Sequence, residues 1–266
     1  MREYLLILVV VTAVQGNSYC DLSCRIGKES FQHTKCGPGL DCGSNFVEIG
    51  LTDDDRQYIL DIHNYLRNKV ALGYERRGRQ PPVANMRVMN YDRELEFTAQ
   101  CWINSCQWSP LRHDKCRGTA LYNYVGQNLA YFGSTNPKID KVKLTRNMIL
   151  SWYDEVILFN NSWVYKTKNR GSRYPVGHYT QIVWANSAFI GCGMNYFTTN
   201  SSGIMWHHVM FGCNYAPGGN YLGASLYKVG KAATKCAENS TKNRQYRGLC
   251  GQSQRVKTST NFTSSL

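Results

Sequence analysis

Four of the eleven cysteines, Cys20, Cys24, Cys36 and Cys42, fall between Asn17 and Gly50, a stretch with glycines and no apolar periodicity. Such a segment cannot bury a core of its own, so it has to be stapled to cysteines farther along. Stapling needs an oxidising compartment, and the start of the chain points to one. After Met1-Arg2-Glu3, residues 4–14 run almost without a polar side chain to Gln15-Gly16, the pattern of a signal peptide over residues 1–16. That run is too short for the ~20 residues of a membrane span, and no later stretch comes close. The mature protein is therefore expected to be secreted, extracellular and without a membrane span. It is long enough for one domain with a conventional core, to which each bridge adds ~2–4 kcal/mol. An odd count leaves at least one cysteine without an intramolecular partner. A monomer is expected, with a disulfide-linked dimer as the alternative. No Cys-x-x-Cys pair occurs, which argues against a cysteine metal cluster.

Beyond the arm of residues 17–50, Thr52 followed by Asp53-Asp54-Asp55 is a helix start, and Ile59, Ile62, Leu66 and Val70 recur at helical spacing. His63 falls inside this stripe, as a satisfied core histidine would, and Arg67 lies at its border. After a loop containing Gly78, Pro81 and Pro82, Asp92 caps a second helix with Leu95, Ala99, Trp102 and Cys106 on one face. Phe97 and Cys101 lie on another side, which predicts a helix between two layers and a buried Cys101 thiol. From about Ile139 a third helix is predicted to reach Phe159. Its stripe of Leu144, Met148, Trp152 and Phe159 includes Glu155. A carboxylate on a buried face must be paired, hydrogen-bonded, protonated or metal-bound.

Phe189 to Phe197 and Trp206 to Tyr215 are predicted strands joined by residues 198–203, with Cys192 and Cys213 placed to bridge them. His207 and His208, adjacent on a strand, should face opposite ways and make a poor ligand pair. Asn160, Asn200, Asn239 and Asn261 each head an Asn-x-Ser/Thr sequon, Asn200 at the expected hairpin turn.

The formal net charge of +13 is concentrated near the end. From Lys228 to Lys257 eight basic residues face one acid, Glu238. Residues 228–266 are read as a solvated basic tail in which Cys236 and Cys250 close a small loop and the Ser/Thr-rich end is disordered. Lys228, Lys231, Lys235, Lys242, Arg244 and Arg247 are the candidate contacts for a polyanion such as a glycosaminoglycan. Nucleic acid is not expected, because no interleaved aromatics accompany the charge.

Gly177-His178-Tyr179-Thr180-Gln181-Ile182-Val183-Trp184-Ala185-Asn186-Ser187 sets polar groups into a run otherwise aromatic and β-branched, so other segments must supply their partners. This stretch resembles the first signature of the cysteine-rich secretory protein, antigen 5 and pathogenesis-related (CAP) superfamily. Met210-Phe211-Gly212-Cys213-Asn214-Tyr215-Ala216-Pro217-Gly218-Gly219-Asn220 resembles the second. Asn17 to Cys24, Gly50-Leu51-Thr52, Gln80 to Met86 and Val125-Gly126-Gln127-Asn128 are similar to the insect antigen 5 branch. The resemblance covers roughly Tyr19 to Tyr227, with residues 51–227 as the CAP domain.

It implies a disulfide-rich α+β fold, a three-layer α-β-α sandwich around a small, mainly antiparallel sheet. It implies the bridges Cys20–Cys36, Cys24–Cys116, Cys42–Cys106 and Cys192–Cys213. Cys236 and Cys250 lie outside that pattern and pair by elimination, leaving Cys101 as the odd thiol. Many members keep two histidines and two acids in a central cleft. His113, Glu155 and His178 match three of these positions, while Gln127 replaces the usual glutamate and can supply a hydrogen bond but neither a base nor a second charge.

The resemblance thus implies a non-enzymatic salivary or venom component, allergen-like, that binds host extracellular or plasma proteins and modulates host defence. Some relatives carry sterols, fatty acids or eicosanoids. The alternative is a zinc or copper site on His113, Glu155 and His178 with weak hydrolytic or redox activity, although no cofactor is required. A serine hydrolase is disfavoured, since no Gly-x-Ser-x-Gly elbow or oxyanion hole accompanies Ser187.

Overall fold

Secondary structure begins where the arm is held from outside rather than from within. In the computed structural model, which describes residues 19–26, 28–36, 42, 46–47, 49–168, 175–238 and 240–256, strands β1 (Ser23–Ile26) and β2 (Glu29–Gln32) form an antiparallel hairpin. Residues 1–16, Asn239 and Asn261 lie outside the described residues. Cys20–Cys36 closes the arm on itself, and Cys24–Cys116 and Cys42–Cys106 tie it to the irregular segment after the second helix. Fully buried His33 adds a noncovalent tie, its Nε2 donating to the Gly118 carbonyl at 2.8 Å.

Helix α1 (Asp53–Ala71) starts on a capping box: the Thr52 hydroxyl accepts from Asp55 N and the Asp55 carboxylate accepts from Thr52 N. Strand β3 (Asn90–Tyr91) leads into α2 (Arg93–Ile103), capped by Asp92. Strand β4 (Gly126–Ser134) is followed by α3 (Lys141–Asp154), capped by Asp140, and then by the short α4 (Gly177–Ile182). The long strands β5 (Phe189–Ser201) and β6 (Ile204–Ala216) complete the set.

The central sheet has the order β3-β5-β6-β4, parallel between β3 and β5 and antiparallel elsewhere. One face carries Met194, Val209, Phe211 and Tyr215 into the main core with α1, α3 and α4. The other carries Leu129, Phe197 and Met210 to the end of α2. This is a three-layer α-β-α arrangement. Helix α2 lies directly on β5 because Gly191 and Gly193 leave room. A Cβ on Gly191 would stand 2.1 Å from Glu96 N, and one on Gly193 2.6 Å from the Gln100 Cα. Cys192 and Cys213 are register partners and form a bridge.

Several sequence expectations are corrected. Helix α2 ends at Ile103, so Cys106 lies beyond it, at φ 51°. Its second face is not a core face: Phe97 is exposed and Cys101, outside the five disulfides, is half-buried under the arm. Helix α3 begins at Lys141 and stops at Asp154, where a 3-10 turn, Glu155–Ile157, takes over and leaves Ile157 and Leu158 exposed. The β5–β6 hairpin is tighter than expected. Its turn is Ser202-Gly203, both at positive φ, and the polar residues before it are strand because this end of the hairpin leaves the core. Asn160 and Asn200 are exposed at a turn and at the hairpin end.

The largest correction concerns the segment after Tyr227. Residues 228–256 pack onto the domain through buried Leu249 and Cys250 and the Cys236–Cys250 bridge. Leu249 belongs to the main core. Tyr246 donates to Asp61, Gly248 N to Asn68 Oδ1, and Val256 N to Gln57 Oε1, all on α1. A few apolar anchors and backbone hydrogen bonds suffice where periodicity is lacking. Lys228, Lys231, Lys235, Lys242, Arg244 and Arg247 all remain exposed.

Candidate functional site

Strand β4 runs along the edge of the sheet, and its first residues gather polar groups from both faces. Gln127 is the register partner of Asn214 and donates from Nε2 to Asn214 Oδ1 at 3.2 Å. Asn214 in turn donates to Thr98 Oγ1 on α2. The next residue, Asn128, points the other way and donates to the His178 carbonyl on α4. The site is therefore assembled around one end of the edge strand. Gly126 permits this: a Cβ there would fall 2.0 Å from Gln181 Oε1.

On the α2 side, Gln127 Oε1 accepts from the backbone N–H of Asp114 and faces Nδ1 of His113, each at 3.0 Å. With the amide oxygen on that side, His113 carries its proton on Nδ1 and its lone pair on Nε2. His113 is exposed at the cleft but backed by protein. Burial lowers its pKa, and the nearby Arg117 and His178 act in the same direction.

On the α4 side, Glu155 accepts three hydrogen bonds. His178 Nδ1 reaches Oε1 at 2.7 Å, and the backbone N–H groups of His178 and Tyr179 reach Oε2 at 2.9 and 3.1 Å. A carboxylate is suited to the exposed amides at the start of α4. These bonds fix Glu155 where α3 tightens. Trp152 stacks on His178 and on Phe211, with centroids 5.9 and 5.4 Å apart, and its Nε1 donates to the Leu129 carbonyl. The rings of His113 and His178 lie 6.4 Å apart between centroids.

His113, Gln127, Glu155 and His178 thus share one cleft, in two hydrogen-bonded halves. Of the three residues expected to ligate a metal, His113 and His178 stand near one another in the cleft, while Glu155 is engaged on Nδ1 of His178. Among the described residues, no group of three or more His, Cys, Asp or Glu side chains is arranged to hold a metal ion. Glu155 sits on Nδ1 of His178, and an acid hydrogen-bonded there cannot also ligate an ion bound at Nε2 of the same ring. Two imidazole Nε2 atoms remain, without hydrogen-bond partners among the described residues. That pair suits a borderline cation such as zinc or copper if water completes the shell.

The other polar groups of Gly177 to Ser187 are structural. Thr180 Oγ1 donates to Asn220 Oδ1 at 2.7 Å. Gln181 joins Ser187 and Gly219, and Ser187 Oγ donates to the Pro217 carbonyl. They bind the first sequence signature to the second. Among the described residues the hydrogen-bond partners of the Ser187 hydroxyl are Gln181 and the Pro217 carbonyl rather than a histidine. His208, on the α2 side of β6, is held by Tyr131 and Thr199. Sequence reasoning assigned no role to Asn214 or Trp152. A polar residue amid the alternating apolar positions of β6 is the same kind of anomaly as Glu155 and could have marked Asn214.

A separate apolar pocket of about 260 Å³ lies between the start of α3 and the core face of the sheet. Ile139, Leu144, Met194, Tyr196 and Val209 line it together with Lys141. Lys141 Nζ is paired with Asp55 at 2.6 Å.

Residues 60–215 match the model of the cysteine-rich secretory protein family, CAP. Venom allergen 5 of Vespula maculifrons is 39% identical over 236 residues, which cover 85% of this chain and 96% of that protein. A venom allergen 3 homolog of Dinoponera quadriceps is 37% identical over 80% of this chain and 90% of its own length. Among solved structures, Na-ASP-1 superposes with a TM-score of 0.60 at 28% identity, over 81% of this chain and 51% of that one. NaASP2, determined with Zn2+, superposes at 0.57 and 29% identity over 77% of this chain and 99% of its own.

Proposed function

The chain belongs to the cysteine-rich secretory protein family, in its antigen 5-like branch, and from that premise we propose that it is a secreted, non-enzymatic binding protein carrying a single-chain lipid. In this reading it is a salivary or venom component that sequesters small lipids, binds host extracellular proteins and is met by the host as an allergen. The relatives named venom allergen support the setting. The observation that carries the lipid role is the apolar pocket beside Leu144. Its volume of about 260 Å³ falls just under the ~300–1,000 Å³ of typical small-molecule sites. That suits one acyl segment of a fatty acid or eicosanoid better than a rigid four-ring sterol. An acidic head group would compete with Asp55 for Lys141.

The non-enzymatic reading is supported by the cleft itself. Glu155 already accepts three hydrogen bonds, Gln127 cannot take a proton, and among the described residues no other carboxylate is hydrogen-bonded to either histidine ring. Lipid extracted from the purified protein and identified by mass spectrometry tests the carrier role. A fatty acid or eicosanoid should accompany the wild type and be lost when Leu144→Trp fills the pocket. An empty wild type that also fails to take up a fluorescent fatty acid would end the reading.

A second reading is supported by the two Nε2 atoms left without partners. Both rings have Nδ1 held by an oxygen acceptor, the arrangement that prepares imidazoles to ligate a metal. His113 and His178 would hold zinc or copper, with Glu155 and Gln127 orienting them. The ion would supply Lewis acidity. Calorimetry with zinc on the wild type and on His178→Ala decides it, since indistinguishable heats from the two proteins leave no room for a site there.

A further inference from the structure

A cleft of about 810 Å³ separates the arm from the segment after α2, and its wall is strongly cationic. Arg25 comes from β1, and Arg112, Lys115 and Arg117 come from the opposite side, against the single carboxylate of Asp114. The cleft shares His113 with the site described above but none of Gln127, Glu155 or His178. It is also remote in sequence from the basic residues of the terminal segment.

Its one acid is outnumbered by the cations around it. Asp114 Oδ1 accepts from Cys116 N at 2.8 Å, while Oδ2 is buried without a partner among the described residues. Arg117 gives Nη1 to the backbone carbonyl of Asp114, and its buried Nε is likewise without a partner. A guanidinium held in this way costs free energy that an incoming anion would recover. Burial lowers the Arg117 pKa, against the opposing effect of the Asp114 charge. The wall is also preformed. Cys24–Cys116 crosses it, His33 is bound to Gly118, and Lys115 Nζ rests 4.2 Å from the centre of the Phe31 ring.

We propose that this cleft binds a compact oligoanion carrying two or more sulfate or phosphate groups. Four cations around one half-open cleft recognise such groups by point charge and by the guanidinium fork. The volume lies within the range of small-molecule sites, which favours a sulfated oligosaccharide or a polyphosphorylated small molecule over a macromolecular surface.

The test is calorimetric titration of the full chain with a heparin-derived tetrasaccharide and, separately, with inositol hexakisphosphate, at low and physiological salt. Binding should weaken with salt and fall about tenfold or more in Arg112→Ala and Lys115→Glu, both exposed positions that should fold normally. Arg117→Gln should fall further, with its thermal melt recorded alongside. The variant Lys228→Ala/Lys231→Ala/Lys235→Ala should bind like the wild type. Preference for the saccharide identifies a sulfated ligand, preference for the inositol phosphate a phosphorylated one, and equal binding a site that reads charge alone. The proposal is overturned if neither probe binds the wild type, or if the terminal variant loses binding while the two exposed cleft variants keep it.

Discussion

Helix α1 sets a histidine and a charged residue into the interior, the cleft at the end of β4 holds its histidines nearer the surface, and the two differ in what is left over. His63 is fully buried, with Nδ1 on the Ile59 carbonyl and Nε2 on the Tyr215 hydroxyl, so both ring nitrogens are satisfied within the protein. Arg67, one turn on, directs six hydrogen bonds to the carbonyls of Arg87, Ile182, Trp184, Ala185 and Ser187. In the cleft, His113 and His178 use only Nδ1. A polar residue in a core is thus a sign of structure when all its donors and acceptors are matched. Where one matched atom orients another that is unmatched, the arrangement is suited to a ligand.

The strongest way to break the comparison is to remove Arg67. Five carbonyl oxygens would lose the guanidinium, four of them between Ile182 and Ser187, and of the five Trp184 and Ala185 would keep a backbone donor. Arg67→Ala should cost about 4 kcal/mol or more in urea unfolding. Arg67→Lys should cost about half as much, because three donors on a flexible stem replace a planar fork. A loss below about 1 kcal/mol for Arg67→Ala would mean that the guanidinium is not the clamp its hydrogen bonds describe.

The next effect comes from His63. Burial lowers its pKa from 6.5 to about 4, against the Ile59 carbonyl, which raises it. Below about pH 6.5 the unfolded chain binds a proton that the folded chain refuses. The contribution is therefore complete at neutral pH and is lost as pH falls from 6.5 toward 4. At about 1.4 kcal/mol per unit the loss reaches up to about 3 kcal/mol. His63→Gln, less stable at pH 7, should show a shallower decline between pH 7 and 5. Parallel curves for the two proteins would place this imidazole's titration outside the folding equilibrium.

How far such distinctions could be read in advance depended on what each residue's anomaly was measured against. His63 stood inside an apolar stripe, so a satisfied core histidine was legible. Arg67 stood at the border of that stripe, and its burial was not legible, because the five carbonyls that solvate it come from distant segments. Glu155 was conspicuous on the apolar face of α3. That its partners would be the amides of α4 depended on how the chain returns. The CAP resemblance brought the four cleft residues together but could not say that Glu155 hydrogen-bonds the His178 ring. The segment after Tyr227 had no periodicity to read, because its anchors are a bridge and irregularly spaced hydrogen bonds from Tyr246, Gly248 and Val256 to one face of α1.

The smallest effect tests the half of the cleft built on Gln127 and His113. Gln127→Glu keeps an oxygen acceptor toward His113 Nδ1 and adds the charge that the amide lacks. Burial currently lowers the His113 pKa. A carboxylate at hydrogen-bonding distance favours the imidazolium, so that pKa should rise by about one unit or more in a proton NMR titration. Stability should change by only about 1 kcal/mol, because Asn214 Oδ1 loses the Nε2 donor while the bonds to His113 and Asp114 survive. The titration of His63 should not move, since its partners lie on α1 and β6. If His113 titrates unchanged in this variant, the amide does not face the ring, and His113 joins His178 in the cleft by proximity alone.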